Sequence, residues 1–431
     1  MKTFRIITLG CKVNQYESES LAQSFLANGY QPAREGERAT VGVVNTCSVT
    51  NISDRKSRKL IRQTAKDCDL LAVCGCYAQA KPEEASKIDG VDLVIGNGNK
   101  HLLFSMIEDK LNEKELEKIS IFPLTTETSF GPDSVTQYQE KTRAIIKVQD
   151  GCNSFCSYCI IPYVRGRLRS RNPLEILEEI KLLATNGYLE IVLAGIHVCH
   201  YGKDFSNTES VKDLVDLLKE IEKIDGIQRI RLSSIEPFAF TDKFFEFYKE
   251  TKKLCPHFHI SLQSGSDAVL LRMNRHYSGE YYQKTVEALR SIRPETTVTT
   301  DVIVGFPGET EEEFQETIAL AQRVQFLKIH TFPYSRRSGT VADSMPNQLS
   351  TEVKTERSKE MLALSDRLEE QILSQFVGKT LSVLAEEEKN GGIFGFSENY
   401  LPVILENKTL SPHKIYSVTP YKTDGKFLYV K

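Results

Sequence analysis

The chain has 431 residues, 40% of them hydrophobic and 26% charged, and carries a formal net charge of -3. That length exceeds one typical domain and that balance fits a soluble globular protein, so two or three domains are expected. The near-neutral charge excludes a protein that coats nucleic acid indiscriminately, while leaving room for local basic footprints. Met1 leads directly into a predicted strand without an apolar signal region, and no stretch reaches the length of a membrane span, so a cytoplasmic protein is expected.

Residues 1–100 alternate predicted strands (4–9, 39–45, 70–74, 91–95) with helices (17–28, 53–66). This rhythm predicts a small α/β unit with a mainly parallel sheet, whose ligand-bearing loops follow the carboxyl ends of its strands. The 53–66 helix stacks Arg55, Arg58, Lys59, Arg62 and Lys66 on one side, with Lys56 nearby. Like charges so stacked repel one another and favour a polyanionic partner. The stretch from about 120 to 141, which contains the run Thr125–Asp133, forms elements poorly and reads as a linker.

A strand-helix rhythm then repeats over 142–335, with strands at 143–148, 190–193, 229–232, 257–262, 297–304 and 328–332. Helices between them include 173–186 and 210–224. Six such units predict a partial (βα)6 barrel with right-handed crossovers and an active face where the strands end. Residues 351–375 read as a long charged helix. Short strands at 380–385, 392–396, 401–404, 414–419 and 427–430, separated by turns such as Asp424-Gly425, predict a small five-stranded β-barrel. The expected division is 1–120, a linker over 121–141, 142–372, and 373–431.

The chain has ten cysteines: Cys11, Cys47, Cys68, Cys74, Cys76, Cys152, Cys156, Cys159, Cys199 and Cys255. Without a secretion signal they do not read as a disulfide framework. Cys152, Cys156 and Cys159 stand at C-x3-C-x2-C just past the first barrel strand. Three thiolates can hold three irons of a [4Fe-4S] cluster and leave the fourth open; a structural zinc site wants four protein ligands. Gly151 and Ser154 let the backbone wrap such a cluster, and Tyr158 can cover a cofactor. With Tyr158 before the last cysteine, the run resembles the radical S-adenosylmethionine superfamily. The resemblance implies an S-adenosylmethionine molecule chelated at the open iron and cleaved to a 5′-deoxyadenosyl radical. Gly305 and Gly308, in Gly305-Phe306-Pro307-Gly308-Glu309-Thr310, then read as cofactor support, and Glu236 and Gln263 as partners of its ribose or amino group.

Cys11, Cys47 and Cys76 each follow a predicted strand of the N-terminal unit, so they can converge although distant in sequence. They fit a second [4Fe-4S] cluster with one open iron; Cys74 is an alternative to Cys76, though it lies within the strand run. Cys68, Cys74, Cys199 and Cys255 otherwise read as free thiols. Both triads, Ile160-Ile161-Pro162, Arg165-Gly166-Arg167-Leu168-Arg169-Ser170 and Tyr334-Ser335-Arg336-Arg337-Ser338-Gly339-Thr340 together resemble the radical methylthiotransferases over nearly the whole chain. The resemblance implies a C-terminal TRAM-type barrel that binds RNA. It implies an auxiliary cluster that carries or delivers sulfur, and two roles for S-adenosylmethionine, methyl donor and radical source. The product it implies is a methylthioether.

Within that family, Thr8-Leu9-Gly10-Cys11-Lys12-Val13-Asn14-Gln15 resembles the subgroup acting on N6-threonylcarbamoyladenosine 37 of tRNA. The isopentenyladenosine subgroup more often has Gln-Met-Asn after that Gly-Cys, and a ribosomal-protein aspartate is the family's other substrate. The implied partners are a tRNA anticodon stem-loop, an external low-potential electron donor and a sulfur donor; no interface pattern stands out, and a monomer is expected. Arg55, Lys59, Arg62, Arg165, Arg167 and Arg169 suit phosphate contacts, as does the neighbouring Arg171. Arg336 or Arg337 can pair with a carboxylate or a phosphate. His197 and His200 can line the pocket, and no histidine pattern suggests a metal site. Two rivals remain: a different radical enzyme with the N-terminal cluster as electron relay, and a cluster-bearing RNA-binding or redox-sensing protein.

Overall fold

The apolar, valine-rich runs Ala39–Thr46 and Cys68–Gly75 form the centre of the N-terminal sheet. They belong to a computed structural model that describes residues 1–124, 134–138, 142–206, 210–389, 391–407 and 409–431. All neighbours in this sheet run parallel, in the order Gln31–Pro32, Thr3–Thr8, Ala39–Thr46, Cys68–Gly75, Leu93–Ile95, Ile119–Ser120. Helices cover both faces, which is why the central strands are apolar without alternation. Phe4, Phe25, Val41 and Leu93 build one core, and Val44, Ile61, Leu71 and Val73 the other. The two edge strands have two residues each, too short for periodicity to reveal. The first helix spans Lys12–Ala27, starting before the predicted residue 17, because the extended backbone of Cys11 takes the N-cap position.

The central strands form two parallel three-stranded groups, Arg143–Lys147, Glu190–Ala194, Arg229–Leu232 and His257–His259, Thr297–Val304, Lys328–Pro333. Parallel bridges Ile230–Leu254 and Ile235–Ile260 join them into the six-stranded partial barrel that the strand-helix rhythm predicts. Its core takes in Tyr16 from the first helix as well as Val135 and Tyr138. Those last two belong to the stretch expected as a linker, so part of it is packed; 125–133 and 139–141 lie outside the described residues. The predicted 210–224 helix is shorter, Leu214–Glu222, because Asp213 caps it by accepting a bond from the Asp216 N–H.

The helix Thr351–Gln375 leads into a curled C-terminal sheet of six strands, one more than expected; the extra strand is Lys422–Thr423. This sheet closes the amino ends of the barrel strands. Glu190, fully buried, accepts from Arg231 Nε at 2.6 Å. Arg231 Nη2 and Arg229 Nη2 donate to the carbonyls of Ser397 and Ser382 at 2.7 and 2.5 Å. Tyr400 stacks between Phe396 and His257, with centroids 4.3 and 4.4 Å away. The carboxyl ends of the strands stay free for the cysteine loops.

Candidate active site

The first cysteine loop follows the short strand Gln149–Asp150. Gly151 takes φ +69°, and a Cβ there would lie 1.9 Å from the Arg167 carbonyl oxygen, so only glycine lets the chain turn this close. The loop is tied down from one side. Ser157 N–H donates to the Met273 carbonyl at 3.0 Å, Ser157 Oγ to that of Arg272 at 2.8 Å, and Asn274 Nδ2 to that of Phe155 at 3.1 Å. Cys152, Cys156 and Cys159 are half-buried. Burial pushes the Cys159 thiol up to about 12, reinforced by the neighbouring Cys156 and Cys152. The Cys152 thiol is instead held below its ordinary value, because burial is outweighed there by hydrogen bonding to His197. Three soft sulfur donors within one short loop are the ligand type an iron-sulfur cluster takes.

Nitrogen donors already point at these sulfurs. Ser154 N–H lies 3.4 Å from Cys152 Sγ, and Arg275 Nη1 lies 3.5 Å from Cys156 Sγ. Arg275 also donates to Glu236 Oε1 at 2.7 Å. Burial raises the Glu236 carboxyl, but His197 and Arg275 outweigh it and hold the group down at about 2. His197 Nδ1 stands 3.6 Å from Cys152 Sγ and 3.3 Å from Ser154 Oγ, while its Nε2 faces Glu236 at 3.3 Å without hydrogen-bond alignment. Glu236 is therefore beside the first triad, linked to it through Arg275. Arg275 was not among the residues expected here: it lies far from the cysteines in sequence and in no recognisable motif.

The other cofactor candidates divide. Gln263 has φ +65°, and its side chain has no partner among the described residues. Tyr158 meets Phe306 edge to face at 6.5 Å, and Phe306 meets Tyr334 likewise at 5.3 Å. Gly305 N–H is taken by Glu309 Oε1 at 2.8 Å and Gly308 N–H by the Asn347 carbonyl at 2.9 Å. Through those bonds the glycine loop buttresses the Phe306–Tyr158 pair from behind. Cys199 adds a feature that spacing does not flag: ligand atoms of His197, Cys199 and His200 lie within 4.8 Å of one another. His197 is already turned to Cys152 and Ser154, so the group belongs to the same recess.

Cys11, Cys47 and Cys76 follow the strands Thr3–Thr8, Ala39–Thr46 and Cys68–Gly75. Burial pushes the Cys47 thiol up to about 11. A Cβ on Gly10, before Cys11, would lie 3.2 Å from Cys47 Sγ, and one on Gly75, before Cys76, 2.4 Å from the Thr46 carbonyl oxygen, so the segments carrying the three cysteines lie side by side. Cys74 packs instead in the apolar core with Phe4 and Phe25.

The basic residues separate by direction. Arg55, Lys59, Arg62 and Arg167 are exposed, as is Arg336, whose Nε meets Asp343 at 2.9 Å. Arg165, by contrast, is fully buried, with Nη1 2.7 Å from Glu17 and 3.0 Å from Asp150. Arg169 is buried beside Asp150, and Arg171 is buried on Glu179. Arg337 is buried too, donating to Asp54 Oδ2 at 2.9 Å and Ser48 Oγ at 2.5 Å. The expectation that these four meet phosphate or an external carboxylate is corrected: their charges are matched inside the protein, where withdrawal would strand buried carboxylates.

A cavity of about 860 Å³ runs along the barrel interior, its wall extending from Gly10 and Lys12 past His259, Asp301 and His330 to Ser233 and Ser234. Residues 3–96 match the model of an uncharacterized protein family, UPF0004, and 146–321 match that of the Radical SAM superfamily. The chain is 39% identical to the threonylcarbamoyladenosine tRNA methylthiotransferase MtaB of Bacillus subtilis, over 100% of this chain and 97% of that one. It belongs to the radical S-adenosylmethionine tRNA methylthiotransferases.

This methylthiotransferase is also 37% identical to the tRNA-2-methylthio-N(6)-dimethylallyladenosine synthase of Pelotomaculum thermopropionicum, over 97% of this chain and 95% of that one. Among solved structures, the radical S-adenosylmethionine methyltransferase TsrM of Kitasatospora setae shares the fold, with a TM-score of 0.60 at 14% identity over 80% of this chain and 74% of that one. Family and fold together make the methylthiotransferase an enzyme that uses S-adenosylmethionine with one [4Fe-4S] cluster. No helix among the described residues is long and apolar enough to cross a membrane.

Proposed function

We propose that this methylthiotransferase attaches SCH3 to C2 of N6-threonylcarbamoyladenosine 37 in tRNA. The observation that carries the reading is the shared cavity, whose wall joins Gly10, next to Cys11, to Ser234, two residues before Glu236. The segments that line it carry Cys11 directly after Gly10, and Glu236, which Arg275 links to Cys156, just after Ser234. An aromatic C–H carbon carries no leaving group, so the reaction needs a radical at one end and sulfur at the other, held in register.

Cys152, Cys156 and Cys159 hold the radical-generating cluster. Cys11, Cys47 and Cys76 hold a second [4Fe-4S] cluster that carries the sulfur. With S-adenosylmethionine bound, these groups supply a 5′-deoxyadenosyl radical, sulfur and a methyl group. The chain's own residues orient and shield. Arg275 holds Glu236 ionised for an amino or ribose group of the cofactor, Gln263 offers a free amide, and Tyr158 covers the cofactor with Phe306 behind it. Exposed Arg55, Lys59, Arg62, Arg167 and Arg336 suit phosphates of an anticodon stem-loop, whose single-stranded base splays out at modest cost. The C-terminal sheet grips the RNA by shape rather than by charge. The reductant and the sulfur source are external, and the protein acts as a monomer in the cytoplasm.

The test is anaerobic incubation of the reconstituted, reduced protein with S-adenosylmethionine, sulfide and threonylcarbamoylated tRNA, followed by nucleoside mass spectrometry. Replacement of H by SCH3 on threonylcarbamoyladenosine is expected. Methylthiolation of isopentenyladenosine alone would overturn the substrate, and 5′-deoxyadenosine release without any thiolated nucleoside would overturn the tRNA reading.

A further inference from the structure

Five cationic side chains of lysine and arginine line the barrel cavity: Lys12, Arg143, Arg231, Lys328 and Lys426. Four of them are matched by carboxylates. Arg143 Nε meets Glu386 at 3.1 Å, Arg231 Nε meets Glu190 at 2.6 Å, and Lys328 and Lys426 meet Glu369 and Asp366, each at 2.7 Å. Lys12 has neither an ion pair nor a side-chain hydrogen bond among the described residues. Asp301, which shares the cavity, is 3.2 Å from His259 Nε2 instead.

The backbone under Lys12 is held firmly. It is the first residue of the helix Lys12–Ala27, and the adjacent turn is pinned by Asn14 Nδ2, which donates to the carbonyls of Leu9 at 2.6 Å and Thr46 at 3.0 Å. A cation at this position opposes the helix dipole, and no acidic residue stands in the first turn to relieve it. Its charge adds a small share to the lowering of His257 and His330, after desolvation and nearer charges. An unmatched ammonium, carried by an exposed lysine at a helix start and lining a cavity of substrate size, is complementary to an anion brought by the substrate.

We infer that Lys12 anchors the carboxylate of the substrate's N6 side chain and is the residue that selects a threonylcarbamoyl group over an apolar one. The inference rests on the threonylcarbamoyladenosine reading and deepens it. N6 and C2 both flank N1, on one edge of adenine, so a contact made beside Cys11 holds the side chain on the same edge as the carbon to be thiolated. An apolar N6 group gives the ammonium nothing in return for its lost water. Lys12 is a positioning and specificity residue; it takes no part in the bond changes.

The test compares the reconstituted holoenzyme with its Lys12→Gln and Lys12→Arg variants, iron content being checked for each. Two anticodon stem-loops are used, one bearing threonylcarbamoyladenosine and one bearing the same group with its carboxylate converted to the amide. Equilibrium binding without S-adenosylmethionine, and KM and kcat with it, are measured on both. Wild type is expected to bind the acid about tenfold or more tightly than the amide, with the difference in KM rather than kcat. Lys12→Gln should erase that preference, and Lys12→Arg should restore most of it. A Lys12→Gln protein with full iron that still prefers the acid overturns the inference. If wild type converts neither stem-loop but does convert an isopentenyladenosine one, the substrate reading itself has failed.

Discussion

Arg165 Nη1 sits 2.7 Å from Glu17 Oε1, joining the loop after the first cysteine triad to the helix that begins beside Cys11. Both residues are buried, and Lys147 and Lys100 reach the same carboxylate at 2.8 and 2.6 Å. Asp150 completes the group, 3.0 Å from Arg165 and 2.9 Å from Lys147. The segments that carry the two cysteine triads are thus joined by a buried ionic cluster.

Removing Arg165 would leave Glu17 and Asp150 with less compensation. Arg165→Gln should cost about 3–5 kcal/mol at neutral pH, read as a lowered denaturant midpoint. The pH dependence follows from the carboxylates. Burial alone would raise both, but Arg165 and the neighbouring lysines hold Glu17 and Asp150 below their ordinary values. Folded values below unfolded ones give stability that is complete above about pH 4.5 and lost as pH falls through the folded values. Wild type should therefore keep this contribution from pH 7 to 5 and lose it only in stronger acid, while the variant lacks it at pH 7.

Gly151→Ala places a Cβ against the Arg167 carbonyl at a positive φ. The cysteine loop must shift, and the second triad, on another sheet, need not. The purified variant should carry about half the wild-type iron and release no 5′-deoxyadenosine. Full iron with normal cofactor cleavage would contradict the placement of the cluster in this loop.

The two triads should separate in function. Cys156→Ala should abolish 5′-deoxyadenosine release. Cys47→Ala should leave at least part of that release while ending thiolation, as read by chromatography of the small-molecule products and mass spectrometry of the nucleosides. A Cys47→Ala protein that still makes the methylthio product would remove Cys47 from the sulfur-bearing site.

Exposed Arg55, Lys59 and Arg62 share one helix with a solvent face. Changing all three to Gln should weaken RNA binding and lower the slope of log K against log salt by about 2–3, with little change in thermal stability. An unchanged slope would move the RNA to another face.

The sequence by itself determined the parallel sheet, the partial barrel, the terminal small sheet and the Cys152–Cys156–Cys159 loop. Periodicity reports which side of a strand or helix is apolar, and three ligands within one loop are neighbours whatever the rest of the chain does. Exposure of Arg55, Lys59 and Arg62 was readable for the same reason, since a regular helix gives its residues fixed directions. Arg165, Arg169, Arg171 and Arg337 were not readable in this way. They lie on short elements and loops without a usable period, and Glu17 and Asp54, which help draw Arg165 and Arg337 inward, come from the N-terminal unit. Only the tertiary structure decided that these charges face inward, that Arg275 stands at Cys156, that Cys74 belongs to the core, and that Lys12 lines the cavity without an ion pair among the described residues. Each depends on packing between segments distant in the chain, and burial makes such pairings compulsory: a charge withdrawn from water must find its partner wherever the fold supplies one.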